Sequence, residues 1–400
     1  MAYEVIARKY RPQQFSDVVG QEHVTGTLVN AIESDRVAHA YLFVGPRGTG
    51  KTSSARILAK ALNCEKGPTV TPCDACDACR EIMAGNSLDV LEIDGASNNG
   101  VDQVRDLRDS VQYAPARGPY KVYIIDEVHM LTTQAFNALL KTLEEPPPHV
   151  KFIFATTEPQ KVPATILSRC QRFDLRRIPV RQLVQRLNQI AEAEEISLDE
   201  DAVLAIARGA EGGLRDAQSA LDQLIAFRGK EIREADVLSV FGLVARGTLE
   251  HLAAAVLSGD VPESMRVVAE LDSSGKDLQR VVVELLEHYR NLLVSLYGGG
   301  AEAMDLTEGQ RAAIATQCEG QEPDRVLRVV DILAETENRL RYALSRRTLL
   351  ETALIRCARA ASVVSVDELV RRIADLQGAS PSPMPAPPPA TSAPEPATVS

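Results

Sequence analysis

The first 178 residues alternate short apolar runs with helical stretches. Four of the apolar runs are rich in β-branched and aromatic residues: YLFVG (41–45), DVLEID (89–94), KVYIID (121–126) and KFIFAT (151–156). Runs of this kind, separated by helices, predict a parallel sheet with helical crossovers. Residues 1–178 are therefore predicted to form an α/β domain.

Helical spacing replaces the strand signal in residues 179–243, where no further strand is predicted. Ser197 and Glu200 stand at the spacing of a capping box, which predicts the start of a helix. A glycine pair at 212–213 ends this helix before a second one over 214–227. This segment is therefore predicted to form a small helical lid domain.

Residues 244–376 are predicted to be all helical, with apolar residues three and four apart in long stretches such as 277–297 and 322–360. Such a domain is either a bundle closed on its own core or a collar that also packs on neighbouring subunits. Residues 377–400 are dominated by Pro, Ala, Ser and Thr. Their composition predicts a disordered linker, which is either a tether to further domains or a plain tail.

Charge and composition narrow the classes of function. The 400 residues carry a formal net charge of −11, so any DNA contact must be local rather than an overall basic coat. The start of the chain lacks the apolar segment of a signal peptide, and no stretch of about 18 apolar residues occurs. The protein is therefore expected in the cytoplasm, with no membrane partner.

An apolar strand, a glycine-rich loop and a helical run follow one another at 41–63. The loop consists of Gly45, Pro46, Arg47, Gly48, Thr49, Gly50, Lys51 and Thr52. This is a Walker A loop in the strand–loop–helix context that it requires. Its backbone N–H groups and the following helix are expected to bind the phosphates of ATP. Lys51 is expected to reach the β- and γ-phosphates, and Thr52 to ligate Mg²⁺.

The apolar run 121–126 ends in two acidic residues, Asp126 and Glu127. Open α/β sheets bind ligands at the carboxyl ends of their strands. Asp126 is therefore expected to hold Mg²⁺, and Glu127 to orient and deprotonate the attacking water. Taken alone, two acidic residues after a strand more often cap a helix. Because this pair follows a P-loop in the sequence, the catalytic interpretation is favoured.

Three further residues are ambiguous when each is taken alone. Thr157 follows a strand and can detect a γ-phosphate, although β propensity also explains a threonine there. Arg215 lies in the first turn of a helix, where the dipole disfavours a cation. Either a bound phosphate or a salt bridge to Asp216 or Glu211 would resolve that conflict. Arg169 by itself suits a surface salt bridge.

Four of the seven cysteines cluster between the P-loop helix and the next strand. Cys64, Cys73, Cys76 and Cys79 form the pattern C-x8-C-x2-C-x2-C, which fits a closed tetrahedral Zn²⁺ site of structural type at about 64–79. An iron–sulfur cluster could use similar ligands, although the Cys-Pro that ends a ferredoxin run is missing. Free thiols are the third alternative.

In combination, these motifs resemble the gamma/tau family of bacterial AAA+ clamp loader subunits of DNA polymerase III. The matching segments cover most of residues 1–220: YRPQQFSDVVGQ (10–21), HAYLFVGPRGTGKTSSARILAKALNC (39–64), EIDGASNNGVD (92–102), YIIDEVHML (123–131), FNALLKTLEEPP (136–147), SRC (168–170) and GGLRDA (212–217).

The resemblance implies a function and roles for the ambiguous residues. It implies Thr157 as a first sensor, Arg169 as an arginine finger acting on a neighbour's ATP, and Arg215 as a sensor acting in cis. Arg11 and Val19 would lie by the nucleotide base. The family pattern also implies a polymerase III holoenzyme component with no polymerase active site of its own.

Partners are likewise implied by the resemblance. They are the delta and delta-prime types of clamp loader subunit, further copies of the chain, the sliding clamp and primer-template DNA. If the product is of the tau type, regions beyond residue 400 would tether the replicative helicase and the polymerase core. The helices after residue 244 would form the oligomerising collar.

Other readings of the same residues remain open. The DEVH string at 126–129 also resembles the acidic box of a superfamily-2 helicase, but such helicases need a second RecA-like domain, and 180–376 offer no strands for one. A branch-migration motor or AAA+ chaperone would share the loop and acids without needing the four cysteines. A non-hydrolysing replisome scaffold is disfavoured by Glu127, because a scaffold has no need to polarise water.

Overall fold

The computed structural model describes residues 4–98, 100–242, 244–299, 304 and 306–362. The chain divides into two compact units. Residues up to Ala245, together with Gly300–Ala312, belong to the first unit, and the remaining residues belong to the second. The predicted linker, 377–400, lies outside the described residues.

The first unit is built on a five-stranded parallel sheet with the order β2-β3-β4-β1-β5. Its strands are β1 (Ala40–Val44), β2 (Val90–Asp94), β3 (Lys121–Asp126), β4 (Val150–Thr156) and β5 (Gln171–Asp174). The four predicted strands are present, whereas β5 was not predicted. Within β5 only Phe173 is buried, and the strand pairs with β1 alone at the sheet edge, so its sequence lacks an apolar pattern.

Helices cover both faces of this sheet and continue beyond it. In chain order they are α1 (Ile6–Lys9), α2 (Glu22–Glu33), α3 (Lys51–Asn63), α4 (Asp77–Ala84), α5 (Val101–Ser110), α6 (Thr133–Glu144), α7 (Ala164–Leu167), α8 (Val180–Ala193), α9 (Glu200–Gly209), α10 (Leu214–Arg228), α11 (Glu234–Val240), α12 (Arg246–Ser258), α13 (Val261–Ser273), α14 (Leu278–Leu296), α15 (Glu308–Cys318), α16 (Pro323–Leu340) and α17 (Arg346–Ser362).

Successive side chains of each strand point to opposite faces of the sheet, so the apolar core forms two layers, one on each face. On one face, Tyr41 and Phe43 of β1 pack with the apolar side of α3, including Ile57 and Leu58. On the other face, Leu42 joins a cluster that includes residues of β3, β4 and α6. This sandwich fixes the carboxyl ends of β1, β3 and β4 side by side, because Val44 pairs with Thr156 and β3 pairs with β4.

The helices α8–α11 form the lid, with their own apolar core. The predicted capping box is wrong. Ser197 lies in a two-residue strand, β6 (Ser197–Leu198), and its N–H donates to the carbonyl of Lys230 at 2.8 Å. β6 pairs with β7 (Glu231–Ile232), so the prediction that no strand follows residue 179 is also wrong. Two-residue strands are too short to give a periodic signal.

In the described part of the second unit, all of the regular structure is helical. The apolar stretch predicted over 322–360 forms two helices, α16 and α17, separated by residues 341–345. α16 packs against α14 and α17, and Leu333 and Leu354 lie fully buried in this unit. The predicted fold class, an α/β P-loop domain followed by a helical lid and a helical domain, is confirmed. No helix among the described residues has the length and apolar character needed to cross a membrane.

Candidate nucleotide site and cysteine cluster

The glycine-rich loop connects the end of β1 to the start of α3. Gly48 and Gly50 have φ values of 75° and 102°, the left-handed region that side chains disfavour. A Cβ on Gly48 would lie 2.9 Å from Asp216 Oδ2 and 3.0 Å from Gly213 Cα. The loop therefore runs directly against the start of α10 in the lid, and glycine is required at that contact.

Lys51 lies inside this loop as the first residue of α3 and is 6% exposed. Its Nζ donates to the carbonyl oxygens of Gly45 and Pro46, both at 2.9 Å. Burial lowers the pKa of Lys51, while the negative charges of Glu127 and Asp126 oppose that shift. The ammonium group is therefore held at the loop by backbone oxygens and faces two acids.

Thr52 and Asp126 meet at the carboxyl edge of the sheet. Thr52 Oγ1 donates to Asp126 Oδ2 at 2.5 Å, and the backbone N–H of Glu127 donates to Asp126 Oδ1 at 2.9 Å. Both side chains present oxygen, the ligand type that Mg²⁺ prefers. The donor set therefore fits the divalent ion predicted from the sequence.

Glu127 follows β3 with φ 44° and ψ 46°, a left-handed conformation that is uncommon for a residue with a side chain. This turn moves its carboxylate to the end of β4. There Thr157 Oγ1 donates to Glu127 Oε2 at 3.3 Å. The structure thus brings together the predicted sensor threonine and the predicted base.

Sequence reasoning missed a histidine at this place. His129 Nδ1 lies 3.4 Å from Glu127 Oε2 and 3.0 Å from Thr156 Oγ1. Its Nε2 lies 3.5 Å from Glu158 Oε1. His129 is part of the DEVH string at 126–129, but the sequence alone does not show which residues its side chain contacts.

Arg11 belongs to the N-terminal arm and reaches the first turn of α3, where its Nε donates to Ser53 Oγ at 3.2 Å. Burial lowers the pKa of Arg11 to about 10, and the positive charges of Arg56 and Arg215 also lower it. Val19 is half-buried and packs against the lid core. The arm therefore spans from the P-loop helix to the lid.

Arg215 is exposed at the start of α10, and its backbone N–H lies 3.4 Å from the carbonyl oxygen of Gly48. Among the described residues, Arg215 has no ion-pair partner within 4 Å, and Glu211 pairs with Arg177 at 3.2 Å.

Arg47 is exposed at the tip of the loop, whereas Thr49 is buried, and Thr49 Oγ1 donates to Pro46 O at 2.8 Å.

Arg169 follows α7 and makes contacts within its own chain. Its Nη2 donates to Glu144 Oε1 at 2.6 Å, and its Nη1 donates to the carbonyl of Thr165 at 2.6 Å. Its side chain is 31% exposed. The structure therefore places Arg169 in an intrachain ion pair at a partly exposed position.

Four cysteine sulfur atoms converge where α3 ends and α4 begins. The Sγ atoms of Cys64, Cys73, Cys76 and Cys79 all lie within 4.8 Å of one another. Backbone N–H groups point at three of these sulfurs, at 3.3–3.4 Å. N–H donors from Ala75 and Cys76 lower the pKa of the Cys73 thiol to about 6. Four convergent thiolates fit a closed tetrahedral Zn²⁺ site.

The cysteine cluster is anchored to the P-loop helix by a buried ion pair. Lys60 of α3 is fully buried, and its Nζ pairs with Asp74, which lies between two of the cysteines. Lys60 also donates to the carbonyl of Gln13 at 2.7 Å. Gln14 donates to Asp74 and to the carbonyl of Pro72. The cluster, the arm and α3 therefore share one polar network.

A parallel sheet with a Walker A loop, a strand-end acidic pair and a helical lid together define a P-loop nucleotide-binding protein of the AAA+ class. Three family models match successive parts of the chain. They describe the DNA polymerase III delta subunit over residues 20–179, the ATPase lid domain of the DNA polymerase III clamp loader subunit over 182–230, and domain III of DNA polymerase III subunits gamma and tau over 232–373.

Full-length relatives agree with the family models. The chain is 44% identical to DNA polymerase III subunit tau of Bacillus subtilis, over 94% of this chain and 68% of that protein. It is 51% identical to subunit tau of Escherichia coli, over 72% of this chain. It spans 44% of the length of that relative. The chain belongs to the gamma/tau family of DNA polymerase III subunits.

Among solved structures, the Holliday junction branch migration motor RuvB of Thermotoga maritima is similar at 19% identity and a TM-score of 0.44. The match covers 62% of this chain and 79% of the other.

Proposed function

We propose that this chain binds Mg²⁺-ATP and hydrolyses it to ADP and phosphate as a clamp loader ATPase subunit. One observation carries the proposal: Thr52 Oγ1 and Asp126 Oδ2 meet at 2.5 Å beside the P-loop, with Glu127 next in the chain. A site that only bound the nucleotide could use Asp126 for the metal ion but would not need the carboxylate of Glu127.

The chain's own residues divide the chemical work. Lys51 binds the β- and γ-phosphates, and Thr52 and Asp126 hold Mg²⁺. The bound ion would neutralise charge on the phosphate oxygens. Glu127 orients the attacking water and accepts its proton. Its unusual backbone conformation aims the carboxylate past the metal ligands toward β4.

Two residues on other elements complete the site. Thr157 detects the γ-phosphate from the end of β4, next to Glu127. Arg215 contributes its charge from the lid, where α10 touches the P-loop through Gly48. Binding of the triphosphate would then tie the lid to the loop, because each of them contributes contacts to it.

Arg169 is proposed as a finger that acts on ATP bound to a neighbouring subunit. Its position after α7 is partly exposed, and its ion pair with Glu144 is of a kind that stabilises folding weakly. Exchange of Glu144 for a neighbour's phosphate therefore costs little. A finger supplied in trans accelerates hydrolysis by about 10³–10⁵, so turnover would depend on assembly.

Arg11 and Val19 are proposed to lie by the base of the nucleotide. The contact of Arg11 with Ser53 puts this arginine beside the first turn of α3.

Zn²⁺ at the four cysteines is proposed to be structural, because four thiolates leave no open coordination position. We also propose domain boundaries at residues 178, 243 and 376.

At the level of the complex, we propose a ring that contains delta-type and delta-prime-type subunits and further copies of this chain. ATP binding would let the ring open the sliding clamp, and primer-template DNA would trigger hydrolysis. Membership of the gamma/tau family supports this assignment, as does the match to the clamp loader lid. Tethering of helicase and polymerase core would require regions beyond residue 400.

Replacement of Glu127 by Gln tests the hydrolytic role. The amide keeps the shape of the side chain but cannot take a proton. We expect Glu127→Gln to bind ATP as tightly as wild type in a filter-binding assay and to lose at least about 10²-fold in turnover. Unchanged turnover would favour a scaffold that uses ATP only to fix its shape.

A further inference from the structure

The strongest unassigned feature of the nucleotide site is the imidazole of His129. Its side chain is 7% exposed, although the residue lies in a short turn, Val128–Met130, directly after the acidic pair. A buried polar ring needs hydrogen-bond partners, because an unmet donor or acceptor costs free energy. Within the described part of the chain, the polar partners of this ring lie at the ends of β3 and β4.

The two nitrogens of the ring face different elements. Nδ1 lies 3.0 Å from Thr156 Oγ1 and 3.4 Å from Glu127 Oε2. Nε2 lies 3.5 Å from Glu158 Oε1. Nδ1 forms a hydrogen bond with the Thr156 hydroxyl whose direction depends on the tautomer of the ring. A carboxylate only accepts hydrogen bonds, so an Nδ1–H ring donates toward Glu127 and an Nε2–H ring donates toward Glu158. The Nδ1–H tautomer is the one that can bring Thr156 and Glu127 together on one proton.

The hydroxyl of Thr156 is itself fixed in place. Its Oγ1 accepts a hydrogen bond from the backbone N–H of Glu158 at 3.0 Å, and Thr156 is fully buried. The imidazole is therefore braced against a rigid strand end. The same Nδ1 atom lies 3.4 Å from the carboxylate of Glu127, a residue whose own backbone is in the left-handed region.

Glu127 uses its two oxygens unequally. Both His129 Nδ1 and Thr157 Oγ1 contact Oε2, at 3.4 Å and 3.3 Å. Among the described residues, no group donates a hydrogen bond to Oε1. With Oε2 bonded to Thr157 and facing the imidazole, Oε1 is the oxygen left to accept a proton.

We propose that His129 is a positioning residue that holds the carboxylate of Glu127 through Oε2 and so presents Oε1 to the attacking water. This inference rests on the proposed ATP hydrolysis. Among the described residues, the polar contacts of His129 are with Glu127, Thr156 and Glu158, and none is with Lys51, Thr52 or Asp126. Its effect is therefore on the rate of the chemical step and not on nucleotide affinity.

Three substitutions of His129 separate positioning from support of the fold. His129→Ala removes both ring nitrogens. His129→Asn puts an amide N–H near the position of Nδ1, and His129→Gln reaches instead toward the position of Nε2. His23→Asn is the matched control, because His23 is an exposed histidine whose Nε2 contacts the carbonyl oxygen of Asp174 at 2.9 Å.

The experiment measures kcat and KM for ATP with the full chain, assembled with the other clamp loader subunits, the sliding clamp and primed DNA. Because general base catalysis is worth about 10²–10⁴ in rate, we expect His129→Ala to lower kcat about 10- to 100-fold. KM and the Kd for Mg²⁺-ATP should stay within about twofold of wild type, because the substitution removes no contact that binds ATP equally in the ground state and the transition state. His129→Asn should recover most of the loss, and His129→Gln should not.

Several results would overturn the inference while leaving ATP hydrolysis intact. An unchanged kcat in His129→Ala would show that Glu127 needs no such support. A raised kcat would show that the ring restrains the base instead of presenting it. Equal recovery by Asn and Gln, or a raised Kd, would indicate support of the fold. Absence of turnover in the wild-type assembly would instead overturn the proposed function itself.

Discussion

The ion pair between Lys60 and Asp74 predicts that the cysteine cluster and the P-loop helix are energetically coupled. Lys60 Nζ is fully buried, whereas the Asp74 side chain is 36% exposed. Replacing Asp74 by Ala would leave a buried ammonium group with the carbonyl of Gln13 and its side-chain oxygen, at 2.7 Å and 3.3 Å, as acceptors. The substitution therefore removes the carboxylate that neutralises Lys60.

The size of the effect follows from burial. Removing one partner of a buried ion pair costs about 3–5 kcal/mol. The partial exposure of Asp74 and the remaining acceptors of Lys60 reduce this figure, and we expect about 2–3 kcal/mol for Asp74→Ala. For a folding unit of this size, that change lowers Tm by about 4–12 °C.

A second substitution isolates the charge. Lys60→Met in the Asp74→Ala background removes the buried ammonium and keeps a side chain of similar length. We expect the double variant to be more stable than Asp74→Ala alone by at least about 1 kcal/mol, because no unpaired charge remains. Asp77→Ala serves as control, since Asp77 pairs with Arg80 at the surface at 3.2 Å, where such pairs contribute about 0–1 kcal/mol.

Thermal unfolding of the four proteins, each with its zinc content measured, checks this reasoning. The coupling would be refuted if Asp74→Ala unfolded within 1 °C of Asp77→Ala at equal zinc content. It would also be refuted if Lys60→Met failed to recover any stability in the double variant.

Three further predictions concern other parts of the molecule. Cys76→Ser should lower the bound zinc from about one equivalent to well below it, as measured by atomic absorption, because a closed site needs all four thiolates. Thr52→Ala should raise the Mg²⁺ concentration that supports half-maximal ATP turnover, since one ligand oxygen is lost. Arg266 and His251 lower the pKa of Glu263 from 4.5 to about 2; this group therefore stabilises the fold above pH 4.5 and loses that contribution as the pH falls toward 2. Glu263→Gln should remove this part of the acid dependence of Tm, whereas an unchanged profile would contradict the assignment.

Much of the nucleotide site was predictable because its residues are adjacent in sequence or follow apolar strands. Lys51 and Thr52 follow β1 in an order that the phosphate geometry requires. Asp126 ends the buried strand β3 and Glu127 follows it, so their place at the carboxyl edge of the sheet is set by the pairing of β3 with β4. The four cysteines were likewise predictable from spacing.

What escaped prediction depends on contacts between distant residues. The ring of His129 meets Thr156 and Glu158, which lie 27 and 29 positions further along the chain, and a single sequence carries no signal for that pairing. Strand β5 carries one buried residue, and β6 and β7 are two residues long. Elements this short form because neighbouring structure completes their hydrogen bonds, so their own side chains show no pattern.

The intrachain ion pair of Arg169 bears on how assembly would control the site. In the structure, its guanidinium group contacts Glu144 and Thr165 of its own chain. A finger that acts on a neighbour must leave or share these contacts. The proposed dependence of hydrolysis on ring geometry therefore includes a local rearrangement at the end of α7.

Steady-state ATP hydrolysis is the most direct test of the central claim. The chain is assayed alone, and then with delta-type and delta-prime-type subunits, the sliding clamp and primer-template DNA, in parallel with Arg169→Ala. We predict slow ATP turnover by the isolated chain and faster turnover in the complete mixture. In the complete mixture, Arg169→Ala should hydrolyse ATP about 10³-fold more slowly than wild type while still binding ATP. An equal rate in all mixtures, or a full response by Arg169→Ala, would contradict an ATPase that is completed by its neighbours.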